Sequence, residues 1–171
     1  DIDPGLHSID FRGLERTAQL MIQVSGRSGR REAQGQVIIQ TRKPNHPLVT
    51  ELLENGYKDF SKKALLERKE GFLPPYSYIA LLRASSYKST LCQTFLQKLK
   101  NYFDNNGSVN ICGPIPAPMI KKNNMYRFQL MVKSPNRKLL LQKSQEIREY
   151  IVGKKLNNIR WSLDIDPLDL D

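Results

Sequence analysis

Gly71 and the pair Pro74-Pro75 divide this sequence in two. Proline cannot continue a helix and drives the residue before it toward extended backbone, so a helix that reaches this point ends here. Beyond it the pattern is regular. Residues 76–84 (YSYIALLRA) read as a strand, and 88–104 as a helix with Leu91, Phe95, Leu99 and Phe103 on one stripe. Residues 109–112 read as a short strand, Gly113 to Pro118 as a proline-rich turn, and 125–133 (MYRFQLMVK) as an alternating strand. Pro135 starts a helix to about residue 152, with Leu139, Leu140, Ile147 and Ile151 inward, and residues 159–165 make a last strand. The order β-α-β-β-α-β, with helices long enough to cover one sheet face, predicts a split β-α-β sandwich.

Before the prolines the pattern is mainly helical. Asp10 is placed as an N-cap. Leu14, Ala18, Met21 and Ser25 follow at spacings of four, three and four, a narrow stripe on a helix to about residue 28. Arg30-Arg31-Glu32 leads to a turn at Gly35, and Val37, Ile38 and Ile39 read as a short buried strand. Pro44 and Pro47 break the chain. Leu48, Leu52 and Leu53 mark a short helix stopped by Gly56, and a second helix over 57–70 turns Phe60, Ala64 and Leu65 inward. Residues 1–46 carry too little apolar surface for a core of their own and are expected to be loosely held.

At 171 residues, 39% hydrophobic and 26% charged, the chain is globular, with room for one domain or a small domain plus a piece of another. No apolar run approaches the roughly 20 residues that span a bilayer. No signal peptide is visible, and a cytoplasmic location is expected. The first residue is aspartate, so the chain is expected to begin inside a longer polypeptide. Cys92 and Cys112 have no metal-ligand spacing; each is expected to be a buried free thiol, with no metal bound by these residues. His7 and His46 have no paired nucleophile and read as structural.

Charge is unevenly placed. The net charge is +10, yet residues 121–160 alone hold eleven Lys or Arg against Glu146 and Glu149. The last ten residues carry four aspartates and no base. A concentrated basic segment fits a polyanionic partner, nucleic acid first; the alternative is a solubilising excess. Lys121 and Lys122, with Asn123 and Asn124, sit between two strands as a polar turn would, where lysines reach a phosphate backbone. Arg127 and Lys133 lie on the following strand. Tyr126 and Phe128 flank Arg127; either could stack on unpaired bases, or pack in the core, which fits Phe128 better. Arg137 and Lys138 open a helix whose N-terminal amides and dipole favour an anion, a carboxylate or a phosphate.

Residues 19–40 read QLMIQVSGRSGRREAQGQVIIQ. Residues three and four apart share a helix face, so Gln23, Arg27 and Arg30 can point the same way, with Gly26 and Gly29 leaving the backbone bare beside them. Guanidinium keeps its charge and presents a fork matched to phosphate oxygens. The pattern Gln-x-x-Gly-Arg-x-Gly-Arg, ending a helix and followed by a strand, resembles motif VI of superfamily 2 helicases. By that resemblance, Arg27 and Arg30 act as fingers on ATP held by the opposite lobe, and Gln23 orders the cleft. Without a ligand, the same residues are a solvated basic helix end.

The likeness narrows further. Asp-Ile-Asp-Pro-Gly-Leu at 1–6, Asp10-Phe11-Arg12, Glu15-Arg16, Gln40-Thr41, His46-Pro47-Leu48, Glu67-Arg68 and Leu73-Pro74-Pro75 resemble the PriA family of replication-restart helicases, also called primosomal protein N′. So do Gly113-Pro114-x-Pro116-Ala117-Pro118, Tyr126-Arg127-x-Gln129-Leu130 and Leu163-Asp164-Ile165-Asp166-Pro167. The resemblance implies a C-terminal fragment: residues 1–46 as the end of a RecA-like helicase lobe 2 with motif VI, 47–72 as bridging helices, and 73–171 as an S10-like split β-α-β sandwich that binds DNA and partners. In class terms, α/β is followed by α+β.

It also implies an ATP-dependent DNA helicase that recognises stalled or branched forks and starts primosome assembly. ATP and Mg would bind the full-length protein, with zinc sites upstream. This chain lacks the G-x-x-x-x-G-K-S/T loop and is expected to be inactive alone. The implied partners are forked DNA, other primosome proteins and the acidic tail of single-stranded DNA-binding protein, whose carboxylate Arg137, beside Lys138, would grip. No membrane partner is implied. The other reading is a stand-alone, non-catalytic S10-like nucleic-acid-binding module.

Overall fold

The computed structural model describes every residue except 9, 29–35, 105–108, 155 and 171. By its contacts the chain divides at Gly71 into two units, Asp1–Glu70 and Gly71–Asp171.

Among the described residues the first unit has four helices: α1 (Asp3–Leu6), α2 (Gly13–Ser28), α3 (Pro47–Glu54) and α4 (Gly56–Glu70). α2 starts three residues beyond the expected cap. Asp10 instead closes a turn ahead of it, its carboxylate accepting from the Arg12 amide (2.9 Å) and its carbonyl from the Gly13 amide (2.8 Å). α1 lies against α2 because Gly5 has no side chain: a Cβ there would stand 1.8 Å from Thr17 Oγ1. His46 caps α3, its Nδ1 accepting from the Leu48 amide at 3.2 Å, a structural use. Gly56 follows α3 at φ +73°, a left-handed position that glycine adopts without steric cost.

Leu6, Ala18 and Met21 pack with Leu48, Val49, Leu52 and Phe60 in one core. The stripe on α2 is too narrow to close a core by itself, and α3 and α4 supply the rest. Two expectations fail here. Val37 to Ile39 form no strand, and Ile38 is 93% exposed. A strand persists only by pairing, and among the described residues the backbone contact here is one bond from the Ile2 amide to Gln40 O (3.3 Å). Leu65 is exposed rather than inward, because Phe60 and Ala64 already define the buried face and the next residue turns about 100° away from it.

The second unit follows the expected order: β1 (Tyr78–Ser86), α5 (Ser89–Phe103), β2 (Asn110–Lys122), β3 (Met125–Ser134), α6 (Arg137–Val152) and β4 (Arg160–Ile165). The sheet runs β2-β3-β1-β4, with each neighbouring pair antiparallel. Ala80, Leu82 and Ala84 of β1 and Phe128, Leu130 and Val132 of β3 face one core with α5 and α6. Alternation sends every second residue there, which is why six strand positions suffice. The inward stripes are shifted from the expected ones. Cys92 and Leu96 join Phe95, Leu99 and Phe103, while Leu91 is 38% exposed; on α6, Leu140, Ile147 and Ile151 are buried and Leu139 is 39% exposed.

Lys143 is buried. Its Nζ contacts Glu146 at 2.5 Å and lies 5.4 Å from the Phe103 ring centroid, and this bond is the main cause holding the Glu146 carboxyl below its ordinary pKa. Burial raises the pKa of the Cys92 thiol, while Cys112, expected buried, is half-buried.

Gly113 to Pro118 is not a turn. It belongs to β2, a single irregular strand at the edge of the sheet. An edge strand has one side without ladder bonds, and there proline's missing N–H costs nothing. Gly113, at φ +116°, approaches the β3 backbone so closely that a Cβ would sit 2.8 Å from Gln129 O.

On the sheet face away from the helices, Arg83 reaches Asp164 (3.4 Å) and the Asp169 carbonyl (3.2 Å), and the buried Gln129 amide donates to Leu170 O (3.4 Å). The acidic C-terminal residues are thereby fastened to their own sheet.

Candidate nucleic-acid interface

β2 and β3 are joined by Asn123 and Asn124, both in left-handed backbone (φ 50° and 60°). Two-residue hairpins of this kind match the twist of their strands, and asparagine tolerates the conformation best after glycine. The tip therefore forms locally from its own sequence, and it carries Lys121 and Lys122 with it. Both are exposed.

Pairing of Lys121 with Tyr126 and of Lys122 with Met125 fixes which face each residue takes. Lys121 and Tyr126 share the helix side, and the Lys121 ammonium sits 5.2 Å from the centre of the Tyr126 ring. Tyr126 is half-buried against the core and holds Lys121; Phe128 is core, as expected. Lys122, Arg127 and Lys133 share the opposite face. Arg127 is near the tip. Lys133 is six residues further along, about 20 Å at strand rise, and donates to Gly71 O at 3.0 Å. The expected set thus splits into a tip group and a separate lysine.

Pro118, Met119 and Ile120 were not anticipated. They lie beside the tip lysines and are exposed, Met119 at 54% and Ile120 at 47%. The signal in the sequence was a proline run leading into a basic turn, which reads equally well as a loop.

α6 begins after Asn136, whose side-chain oxygen accepts from the Lys138 (2.8 Å) and Leu139 (3.4 Å) amides. Those amides are already capped, which corrects the expectation of free ones for an anion. Arg137 is exposed, and its Nε and Nη2 donate to Asp166 Oδ2 at 3.3 and 3.1 Å. An exposed pair of this kind contributes roughly 0–1 kcal/mol, so another carboxylate or a phosphate can replace Asp166 at little cost.

In the first unit, Gln23 and Arg27 stand one turn apart on the exposed end of α2. A Cβ added at Gly26 would meet nothing within 4 Å, so the backbone there is open to an approaching group. Gly29 and Arg30 lie outside the described residues. Among the described residues, no group of three or more His, Cys, Asp or Glu could hold a metal ion. Nor is any described helix long and apolar enough to cross a membrane.

The family model for the primosomal protein N C-terminal domain matches residues 69–168, which is more than half of the chain. The chain belongs to this family. The match takes in the whole β-α-β-β-α-β unit, so the basic hairpin and the α6 N-terminus are parts of the primosomal protein N C-terminal domain. Relatives extend the likeness through the first unit. The chain is 42% identical over 174 residues to the replication restart protein PriA of Haemophilus influenzae, with 99% of the chain and 23% of that protein covered. It is 32% identical to the proteins of the same name in Bacillus subtilis (96% of the chain, 21% of that protein) and Synechocystis (99% and 20%). The chain spans between a fifth and a quarter of the length of these curated relatives.

Proposed function

We propose that this chain is the C-terminal part of an ATP-dependent DNA helicase that recognises branched replication forks and starts primosome assembly for replication restart. The observation that carries this reading is the exposed cationic tip of the β2–β3 hairpin, Lys121 and Lys122 with Arg127 behind them, inside the matched domain. Side chains at a tip reach phosphates without disturbing a core, and three cations in one place supply the sequence-independent attraction that nucleic-acid binding starts from. The S10-like description of the second unit accords with its strand order.

The first unit is the end of helicase lobe 2. Leu20, Ile22 and Val24 of α2 and Ile38 after it are exposed, the surface expected of a lobe separated from the sheet it covers. Gln23 and Arg27, with Arg30, face ATP and Mg held by the rest of the protein. In phosphoryl transfer such an arginine is worth on the order of 10³–10⁵ in rate. Arg137, with Lys138 beside it, receives the terminal carboxylate of an acidic partner tail, that of the single-stranded DNA-binding protein, in exchange for Asp166. Zinc sites, cytoplasmic and nucleoid location, and contacts with other primosome proteins belong to this same reading.

In the whole protein, Arg27→Ala and Arg30→Ala should each remove DNA-stimulated ATP hydrolysis while fork binding persists. Hydrolysis retained in both variants would rule out the finger assignment.

A further inference from the structure

The outer half of β2 departs from its partner in a way that core packing does not explain. Pro116 is opposite Phe128 and Lys121 is opposite Tyr126, so four residues of β2, Ala117 to Ile120, stand against Arg127 alone. A bulge this large re-aims side chains. Ala117 turns inward and is 4% exposed; Pro118, Met119 and Ile120 turn outward. Fully burying a Met or Ile side chain ordinarily contributes about 1.5–3 kcal/mol, and Met119 and Ile120, 54% and 47% exposed, each forgo a large part of it. Protection of the sheet edge does not account for it, because edges are guarded with lysine and proline, whereas exposed Met and Ile invite association.

Three cations frame the apolar pair. Lys121 and Lys122 follow it directly, and Arg127 is the residue it bulges against, one strand spacing or about 5 Å across. Positive charge around a small apolar projection matches a ligand with phosphates outside and a flat apolar face between them. That is an exposed base pair.

We infer that Met119 and Ile120 form a wedge that covers the terminal base pair where duplex DNA opens into single strands, while Lys121, Lys122 and Arg127 hold the flanking phosphates. This inference rests on the proposed DNA interface and assigns to Met119 and Ile120 the part of fork recognition that reads the open base pair. Inserting an apolar side chain within a continuous duplex means unstacking a step at a cost of a few kcal/mol, whereas at a junction the face is already open. The wedge therefore favours junctions over duplex. Tyr126, held against the core under Lys121, is a support for the lysine rather than a stacking platform.

The test uses the whole protein with forked DNA carrying 2-aminopurine at the junction, and duplex DNA carrying it internally. We expect binding to change the emission of the junction label and leave the duplex label unchanged. The Met119→Ser, Ile120→Ser double variant, altered only at exposed positions, should lose the junction signal. It should reduce the fork-over-duplex affinity ratio by roughly tenfold with duplex affinity intact. The Lys121→Gln, Lys122→Gln pair should weaken fork and duplex alike. If the lysine pair weakens both but the apolar pair leaves the junction signal and the ratio unchanged, the wedge is wrong and the DNA interface stands. If the lysine pair changes neither affinity, the DNA reading of the hairpin falls with it.

Discussion

The two units reach stability by different routes. In Gly71–Asp171, sixteen buried apolar residues, from three strands, two helices and Val109 just ahead of β2, fill one core among the described residues. In Asp1–Glu70 the corresponding core has seven, and α2 exposes Leu20, Ile22 and Val24 beside it. The second unit closes on itself because a sheet and two helices each bury one face against the other. The first does not, because α2 has apolar residues on more than one side, and among the described residues only the side carrying Ala18 and Met21 is packed in the core. A unit that leaves apolar surface open gains less from its own packing than one that closes on itself.

The sharpest way to break this contrast is to cut the chain between the units. Residues 71–171 alone should unfold in one cooperative denaturant transition, and residues 1–70 alone should show none. A cooperative transition in the shorter piece would erase the distinction.

Within the intact chain, Leu96→Ala or Leu140→Ala, each at a position with no exposure, should cost the second unit about 2–5 kcal/mol in urea unfolding. Leu20→Ala at an exposed site of the first unit should stay within about 0.5 kcal/mol. Asn136→Ala removes the cap of α6 and should lower stability by about 1 kcal/mol, read in the same experiment.

The smallest effect concerns Asp3 in the first unit. Its carboxylate accepts from Thr41 Oγ1 (2.6 Å) and from the Arg42 amide (3.1 Å), and the Thr41 bond is the main cause lowering its pKa. A lowered folded pKa means the contribution is complete above the ordinary aspartate value of about 3.9 and is lost as pH falls through the lower folded value. Amide exchange at Arg42, slowed by this bond, should therefore rise toward its intrinsic rate below that range. Asp3→Asn should flatten the change, and an unaltered pH profile in that variant would remove the latch.

The contrast also marks where the sequence was legible. The helix and strand order after Pro75 was readable because each element carries a full stripe or alternation. The same residues did not reveal that Gly113 to Pro118 lies in a strand. Whether proline is tolerated depends on β2 being at the edge, and that is set by strand order across the whole sheet. Leu65, Leu91 and Leu139 were placed inward by hydrophobicity; helix phase, fixed by neighbouring side chains, turned them out. Lys143 went the other way, buried where charge alone argued for solvent. At the candidate sites, the tip lysines were legible from the turn sequence. The bulge that presents Met119 and Ile120 was not, since it is a mismatch between two strands and belongs to neither alone. The Asp166 partner of Arg137 was hidden for a similar reason, lying 29 residues away in sequence.

The salt dependence of fork binding tests the hairpin interface most directly. Each phosphate contact contributes about 0.9 to the slope of log affinity against log salt on duplex DNA. In the whole protein, Lys121→Gln with Lys122→Gln should make the slope shallower by about two and weaken binding without regard to sequence. A slope identical to that of the unaltered protein would contradict the account, because the hairpin tip would then not be touching phosphate.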